Sequence, residues 1–200
     1  MQNDIWFRPL VWMDYRLGVL FTVIIPLILL IWAFVQRADA IVRLLIIYWR
    51  VSSLMAIALY LMIPAWPIAF VASFGSRLLV PVSLWFWEDI NDDIDDRPLR
   101  PLKLALTAWR WAITVYLTLG ALAFLPFLSC AFSPGSIKSP FCNVWLEAPR
   151  LYKQFFHSGS TTSPQFLGFL GMVGLIIYVL YLSYFVLIRL GKQGRSAMEQ

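Results

Sequence analysis

The sequence predicts an all-α fold: a polytopic integral membrane protein with five transmembrane helices or, alternatively, four. Three observations carry this reading. Of the 200 residues, 60% are hydrophobic and only 14% are charged, where a soluble domain carries about a quarter charged residues. Mean hydropathy is +0.74. Several apolar runs reach the roughly 20 residues that a helix needs to cross the hydrocarbon core. The length fits a single transmembrane domain, residues 1–200. The opening Met1-Gln2-Asn3-Asp4 lacks a basic segment leading into a short apolar core and a small-residue cleavage site. No cleaved signal peptide is expected, and the first span serves as its own insertion signal.

The first span covers about 15–35. Trp12 and Tyr15 at one end and Trp32 at the other fit interfacial aromatic belts. Pro26 in its middle predicts a kink, tolerable where neighbouring helices satisfy the carbonyl that proline leaves unpaired. Residues 36–50 carry Arg37, Asp39, Arg43 and Arg50 around an apolar core and read as an interfacial lead into a second span over 44–63. Pro64-Ala65-Trp66-Pro67 is a break, and a third apolar run covers 68–87. In the four-span alternative, 64–87 is re-entrant or interfacial. An acidic loop follows over 88–103, closed by Arg97-Pro98-Leu99-Arg100-Pro101, whose prolines end any helix there. The fourth span covers 104–128, a cysteine-containing polar loop 129–165, and the last span 166–188.

With the carboxyl-terminal tail in the cytoplasm, five spans place Arg37, Arg43, Arg50, Arg97, Arg100, Lys103, Arg189, Lys192 and Arg195 inside. Arg8, Arg16, Lys138, Arg150 and Lys153 lie outside. This distribution obeys the positive-inside rule. It also explains the net charge of +5 without nucleic acid, for which no basic aromatic patch exists.

Six of the eleven acidic residues lie between Glu88 and Asp96. If the third helix continues past the membrane, Asp89, Asp92, Asp93 and Asp96 share one face and Trp87, Ile90 and Ile94 another. The acids then oppose the helix dipole at about 0.3–1 kcal/mol each, offset locally by Arg97, Arg100 and Lys103. Three readings are open: a solvated, self-neutralising loop, a docking surface for a basic partner, and a catalytic site. For docking, the candidates are Glu88, Asp89, Asp92, Asp93, Asp95, Asp96, Arg97 and Arg100. For catalysis, Asn91-Asp92-Asp93-Ile94-Asp95 resembles the first aspartate-rich motif of intramembrane aromatic prenyltransferases. There carboxylates hold magnesium against an isoprenoid diphosphate, a hard cation preferring oxygen ligands. A further aspartate of that motif is missing here. No second aspartate-rich cluster follows either, only Glu147 and Glu199. No EF-hand spacing is present.

Cys130 and Cys142 share the outer loop and form either a disulfide, in an oxidising compartment, or two free thiols. His157, the one histidine, rules out bis-histidine haem within the chain and reads as an exposed loop residue. No resident metal or cofactor is expected. Arg50 and Arg77 interrupt apolar runs and are either functional intramembrane cations or snorkelling side chains. Gly168, Gly171 and Gly174 provide a small-residue face for close helix packing.

Six segments together resemble a family of uncharacterised cyanobacterial multi-spanning membrane proteins. They are Val11-Trp12-Met13-Asp14-Tyr15-Arg16, Arg43-Leu44-Leu45-Ile46-Ile47-Tyr48-Trp49-Arg50, Leu84-Trp85-Phe86-Trp87, Leu128-Ser129-Cys130-Ala131-Phe132, Tyr152-Lys153-Gln154-Phe155-Phe156-His157, and Arg189-Leu190-Gly191-Lys192-Gln193-Gly194-Arg195-Ser196. The resemblance implies a thylakoid location and an auxiliary role in assembling or maintaining photosystem II, and it supplies no catalytic residues. The expectation is therefore a non-enzymatic accessory protein that binds photosystem II polypeptides and lipids. The alternatives are a magnesium-dependent prenyltransferase-like enzyme acting through Asn91 to Asp95 and a small transporter using Arg50 or Arg77.

Overall fold

The computed structural model describes residues 5–133, 135–157 and 162–190. Lys192, Arg195 and the segment from Gly191 to Ser196 lie outside the described residues. Five helices are long and apolar enough to cross a membrane. We label them α1 (Arg8–Val35), α2 (Asp39–Met62), α3 (Ile68–Trp85), α5 (Pro101–Phe132) and α7 (Pro164–Arg189). Between them lie α4 (Glu88–Asp95) and α6 (Glu147–Phe156). The third apolar run is one helix from the turn at 63–67 to the break at 86–87, so the five-span reading holds.

Two expected boundaries differ. The helix that carries the first span begins at Arg8, ahead of the span expected from about residue 15, and the helix that carries the second begins at Asp39. Residues 39–50 are therefore continuous with the helix of the second span. The helix forms early because Pro9 occupies its first turn, where a missing N–H has no helical partner to lose. Two tight turns close spans on left-handed residues. Arg37 has φ 51° and Ala65 φ 62°. Ala38 N–H donates to Ala33 O at 2.9 Å and Trp66 N–H to Leu61 O at 3.1 Å. Both are the six-to-one bond of a Schellman motif.

Pro26 does perturb α1. The turn before it, Leu20–Ile24, opens to π geometry. Proline has no N–H for the carbonyl four or five residues back, so Thr22 O and Phe21 O both lose their helical donor. Each finds one on a neighbouring span. The Tyr48 hydroxyl donates to Thr22 O at 2.7 Å, and Trp109 Nε1 donates to Phe21 O at 2.9 Å. Two backbone acceptors that would face hydrocarbon unpaired thereby become fasteners of α1 to α2 and α5.

The turn at 63–67 and the cysteine loop lie at one end of the bundle. Tyr15 reaches Met62 Sδ there, and Tyr60 packs on Tyr152. At the opposite end, Ile90 and Ile94 of α4 join Leu44, Leu45, Leu84 and Leu106 in one core, and Trp87 packs on Phe185 of α7. The last span leans on α2 through small residues. A Cβ on Gly171 would stand 3.1 Å from Leu61 Cγ and 3.2 Å from its backbone nitrogen, and one on Gly174 would stand 3.3 Å from Ile57 Cγ1. A Cβ on Gly168 would collide with the Pro64 ring.

The loop at 129–165 is more ordered than an irregular polar loop. A Cys130–Cys142 disulfide joins its start to its middle. Both cysteines, with Val144, Trp145 and Leu146, are buried in the core at that end. Arg8 Nε and Trp12 Nε1 both donate to Glu147 Oε2 at 3.0 Å, fixing the loop to α1. His157 is half-buried rather than exposed, packed against Tyr60 and Tyr152. The loop lacks hydrophobic periodicity, yet its scattered apolar residues converge once the disulfide and the short turns fold it.

Removing the Tyr48 hydroxyl leaves Thr22 O buried without a donor, which costs about 1–3 kcal/mol. Tyr48→Phe should lower the unfolding free energy of purified protein in detergent by that amount. Pro26→Ala restores a backbone N–H in α1, so the loss should shrink markedly in the Pro26→Ala background. Equal losses in both backgrounds would contradict the assignment of the hydroxyl to the proline-orphaned carbonyl.

Candidate docking helix and intramembrane ion pair

The acidic stretch is not a continuation of the third span. Trp87 adopts an extended conformation, φ −86° and ψ 103°, and α4 starts afresh at Glu88. This reverses the electrostatic expectation. Glu88 and Asp89 occupy the first turn of their own helix, where carboxylates interact favourably with the dipole. Asp89 Oδ1 also accepts from the Ile90 backbone N–H at 2.9 Å. At the other end, Lys103 Nζ donates to Asp95 O at 2.7 Å and Arg97 O at 2.9 Å, supplying a cation to the terminal carbonyls.

One face of α4 is locked into the protein. Ile90 and Ile94 are fully buried. Asn91 Oδ1 accepts from Arg110 Nη2 at 2.8 Å, while Asn91 Nδ2 donates to Trp85 O at 3.4 Å. Arg110 itself is buried. It donates to Leu84 O at 3.1 Å and stacks over the Trp85 ring with Cζ 4.1 Å from the centroid. Trp85 Nε1 in turn donates to Thr114 Oγ1 at 3.0 Å. The opposite face is exposed: Glu88, Asp92, Asp93, Asp95 and Asp96 face solvent, with Asp89 half-buried. Of the two closing cations, Arg100 is exposed and Arg97 half-buried. Five of the acidic docking candidates, Glu88, Asp92, Asp93, Asp95 and Asp96, are thus exposed, while Asp89 and Arg97 are partly covered. The structure also engages both ends of the Asn91 amide with protein partners. Among the described residues, no three His, Cys, Asp or Glu side chains are grouped so as to hold a metal ion.

Arg77 is the second polar feature. Its guanidinium forms a two-pronged pair with Asp14, Nη2 to Oδ2 at 2.6 Å and Nη1 to Oδ1 at 3.3 Å. The side chains are 11% and 20% exposed, so the pair sits inside the bundle, and Arg77 does not snorkel. The Tyr116 hydroxyl donates to Asp14, 2.9 Å from Oδ1 and 2.8 Å from its carbonyl oxygen. The rings of Phe124 and Trp145 face the guanidinium at 5.2 and 5.8 Å. The Tyr15 hydroxyl donates to Trp145 O at 2.7 Å, joining the cluster to the cysteine loop. Gly120 makes the approach feasible, since a Cβ there would stand 2.5 Å from Arg77 Nη1.

Sequence reasoning singled out Arg77 but not its partner. Starting the first span at Tyr15 left Asp14 outside it. The available signal was complementarity: a lone acid in one apolar helix and a lone arginine in another. Arg110, inside the expected fourth span, was passed over between the conspicuous Trp109 and Trp111. Arg50 is not part of either cluster. It is exposed on the flank of α2.

Breaking a buried ion pair from one side leaves an uncompensated charge and costs about 3–5 kcal/mol, whereas apolar replacement of both partners is often close to neutral. Asp14→Leu and Arg77→Met should each destabilise the protein by that amount in detergent unfolding measurements, and the double variant should recover most of the loss. Additive losses would show that the two side chains act independently.

No curated protein and no solved structure matches the chain. A family described as a protein of unknown function, DUF3177, matches residues 8–198. With nearly its whole length covered, the chain belongs to the DUF3177 family.

Proposed function

We propose that this chain is a non-enzymatic accessory protein of the membrane, which docks through the exposed face of α4 on a basic surface of a membrane-embedded protein complex. One observation carries the reading. The acidic helix presents five outward carboxylates while Ile90, Ile94 and Asn91 anchor its other face in the core. A solvated loop needs no such anchor. A preorganised charge array lowers the ordering cost of association and favours a partner of opposite sign.

The finer reading rests on the likeness, across six segments, to cyanobacterial multi-spanning proteins. On that likeness, the proposed setting is a thylakoid membrane and the proposed partners are photosystem II polypeptides during assembly or maintenance. The prenyltransferase-like alternative is less well supported, because Asn91 of the Asn-Asp-x-x-Asp motif is engaged by Arg110 and Trp85. A transporter using Arg77 is likewise less well supported, because the guanidinium is held by Asp14 between two aromatic rings.

A tagged chain purified from mildly solubilised thylakoid membranes should bring photosystem II reaction-centre polypeptides with it. Recovery of the chain only as a free protein would overturn the proposal. Changing Asp92, Asp93, Asp95 and Asp96 together to Asn removes exposed charge without touching the core. It should reduce partner recovery at least severalfold, and raising the salt concentration should weaken the wild-type association, since exposed charges are screened.

A further inference from the structure

Helix α6 stands at the cysteine-loop end of the bundle, and its residues divide into three stripes. Pro149, Tyr152 and Phe156 follow the three- and four-residue spacing of one helix face. Pro149 is buried. The Tyr152 ring meets those of Tyr60 at 6.1 Å and Phe156 at 4.7 Å, so this stripe faces the protein. Arg150, Lys153 and Gln154 form a second stripe by the same spacing, polar throughout. Leu151 and Phe155, one turn apart, form the third and are 48% and 79% exposed. The polar and apolar stripes thus diverge on either side of the anchored one. A cationic flank opposite an apolar flank with leucine and phenylalanine is the pattern of a helix that lies in the plane of a membrane interface.

The height of α6 agrees with this. Tyr60 lies in the last turn of α2, which has 24 residues and ends at Met62. A helix of that length measures about 36 Å, against a hydrocarbon core of about 30 Å, so its end turns stand in the headgroup layer. Contact with Tyr60 sets α6 at that level, beside the end of the span rather than above it in water. Lipid reaches the same level on α7, which packs on this end of α2 through Gly168 and Gly171 and exposes Phe166 and Phe169 in its first two turns.

We infer that α6 docks on the bilayer itself, as an interfacial helix of the leaflet at the cysteine-loop end. Leu151 and Phe155 lie among the upper acyl chains. Arg150, Lys153 and Gln154 turn to phosphate and water. A protein cap on the apolar flank would need neither the match in height nor the cations opposite it, whereas a membrane interface uses both. This surface lies at the end of the bundle opposite α4 and is independent of what docks there.

The test uses the full chain in lipid nanodiscs. The two cysteines of the sequence are joined in the disulfide, so a cysteine introduced elsewhere is the one free thiol for a nitroxide label. Leu151→Cys, Phe155→Cys, Arg150→Cys and Gln154→Cys all change exposed positions, which spares the core. Labels on the Leu151→Cys and Phe155→Cys variants should collide with oxygen, which concentrates in lipid, and be shielded from a water-soluble nickel chelate. Labels on the Arg150→Cys and Gln154→Cys variants should show the reverse, with an oxygen-to-nickel accessibility ratio severalfold lower. Equal ratios at all four positions would overturn the assignment. Shielding of the Leu151→Cys and Phe155→Cys labels from both reagents would show a second copy of the chain covering the flank, and would overturn it as well.

Discussion

Hydrocarbon offers no hydrogen bonds and no counter-charge, so a polar group left unanswered inside the bundle is costly. The attachment of the first span depends on this constraint. Pro26 releases Phe21 O and Thr22 O, and these acceptors are met by Trp109 of the fourth span and Tyr48 of the second. Asp14 on the same helix meets Arg77 of the third span and Tyr116 of the fourth. Helix α1 is thus fixed to three other spans by polar contacts. Apolar packing between helices in lipid gains little from the hydrophobic effect, since lipid tails are as apolar as leucine. Polar fasteners therefore define the register of α1, and the packing of leucine and alanine side chains follows.

The two ends of the bundle solve different problems. At the cysteine-loop end, a long connection must cover the tops of the helices. A disulfide limits its freedom, and Glu147 takes two hydrogen bonds from the start of α1. Trp145 then closes over the Arg77 pair, which keeps the loop and the ion pair mechanically linked. At the other end, the connection between the third and fourth spans is itself a helix, held by two isoleucines and by the Arg110–Asn91 contact. Each end has a buried arginine beneath it, Arg77 on one side and Arg110 on the other. Both arginines use aromatic faces as well as oxygen acceptors, which suits a weakly hydrated planar cation.

The spans were legible in the sequence because 20-residue apolar runs have few other uses. The turn at 63–67 was legible because prolines bracket it. What stayed hidden shared one cause: it depended on pairing between distant positions. Asp14 and Arg77 lie 63 residues apart, and each alone looks like an ordinary interfacial or stray charge. The helical content of the cysteine loop was hidden because Phe127, Cys130 and Trp145 form a core only when brought together in space. Hydropathy also left the first two turns of the first helix out of view. Arg8, Asp14 and Arg16 lower the local average, although Asp14 is compensated within the bundle and Arg8 by Glu147.

The acidic helix shows how one backbone break changes the meaning of a charge cluster. As an extension of the third span, its carboxylates would sit at a helix C-terminus, work against the dipole and favour fraying. Trp87 turns the chain instead, and the first acids fall at an N-terminus where the dipole favours them. The helix is then short but not marginal, because Ile90 and Ile94 contribute tertiary burial that an isolated eight-residue helix lacks. Like charges held this close repel one another, and a rigid helix cannot relieve that repulsion by spreading them apart. A cationic surface relieves it on contact, and the core of the protein has already ordered the segment that makes the contact. In the proposed docking, the association would draw on electrostatic relief rather than on new apolar burial, which leaves the lipid-facing sides of the five spans free for the membrane.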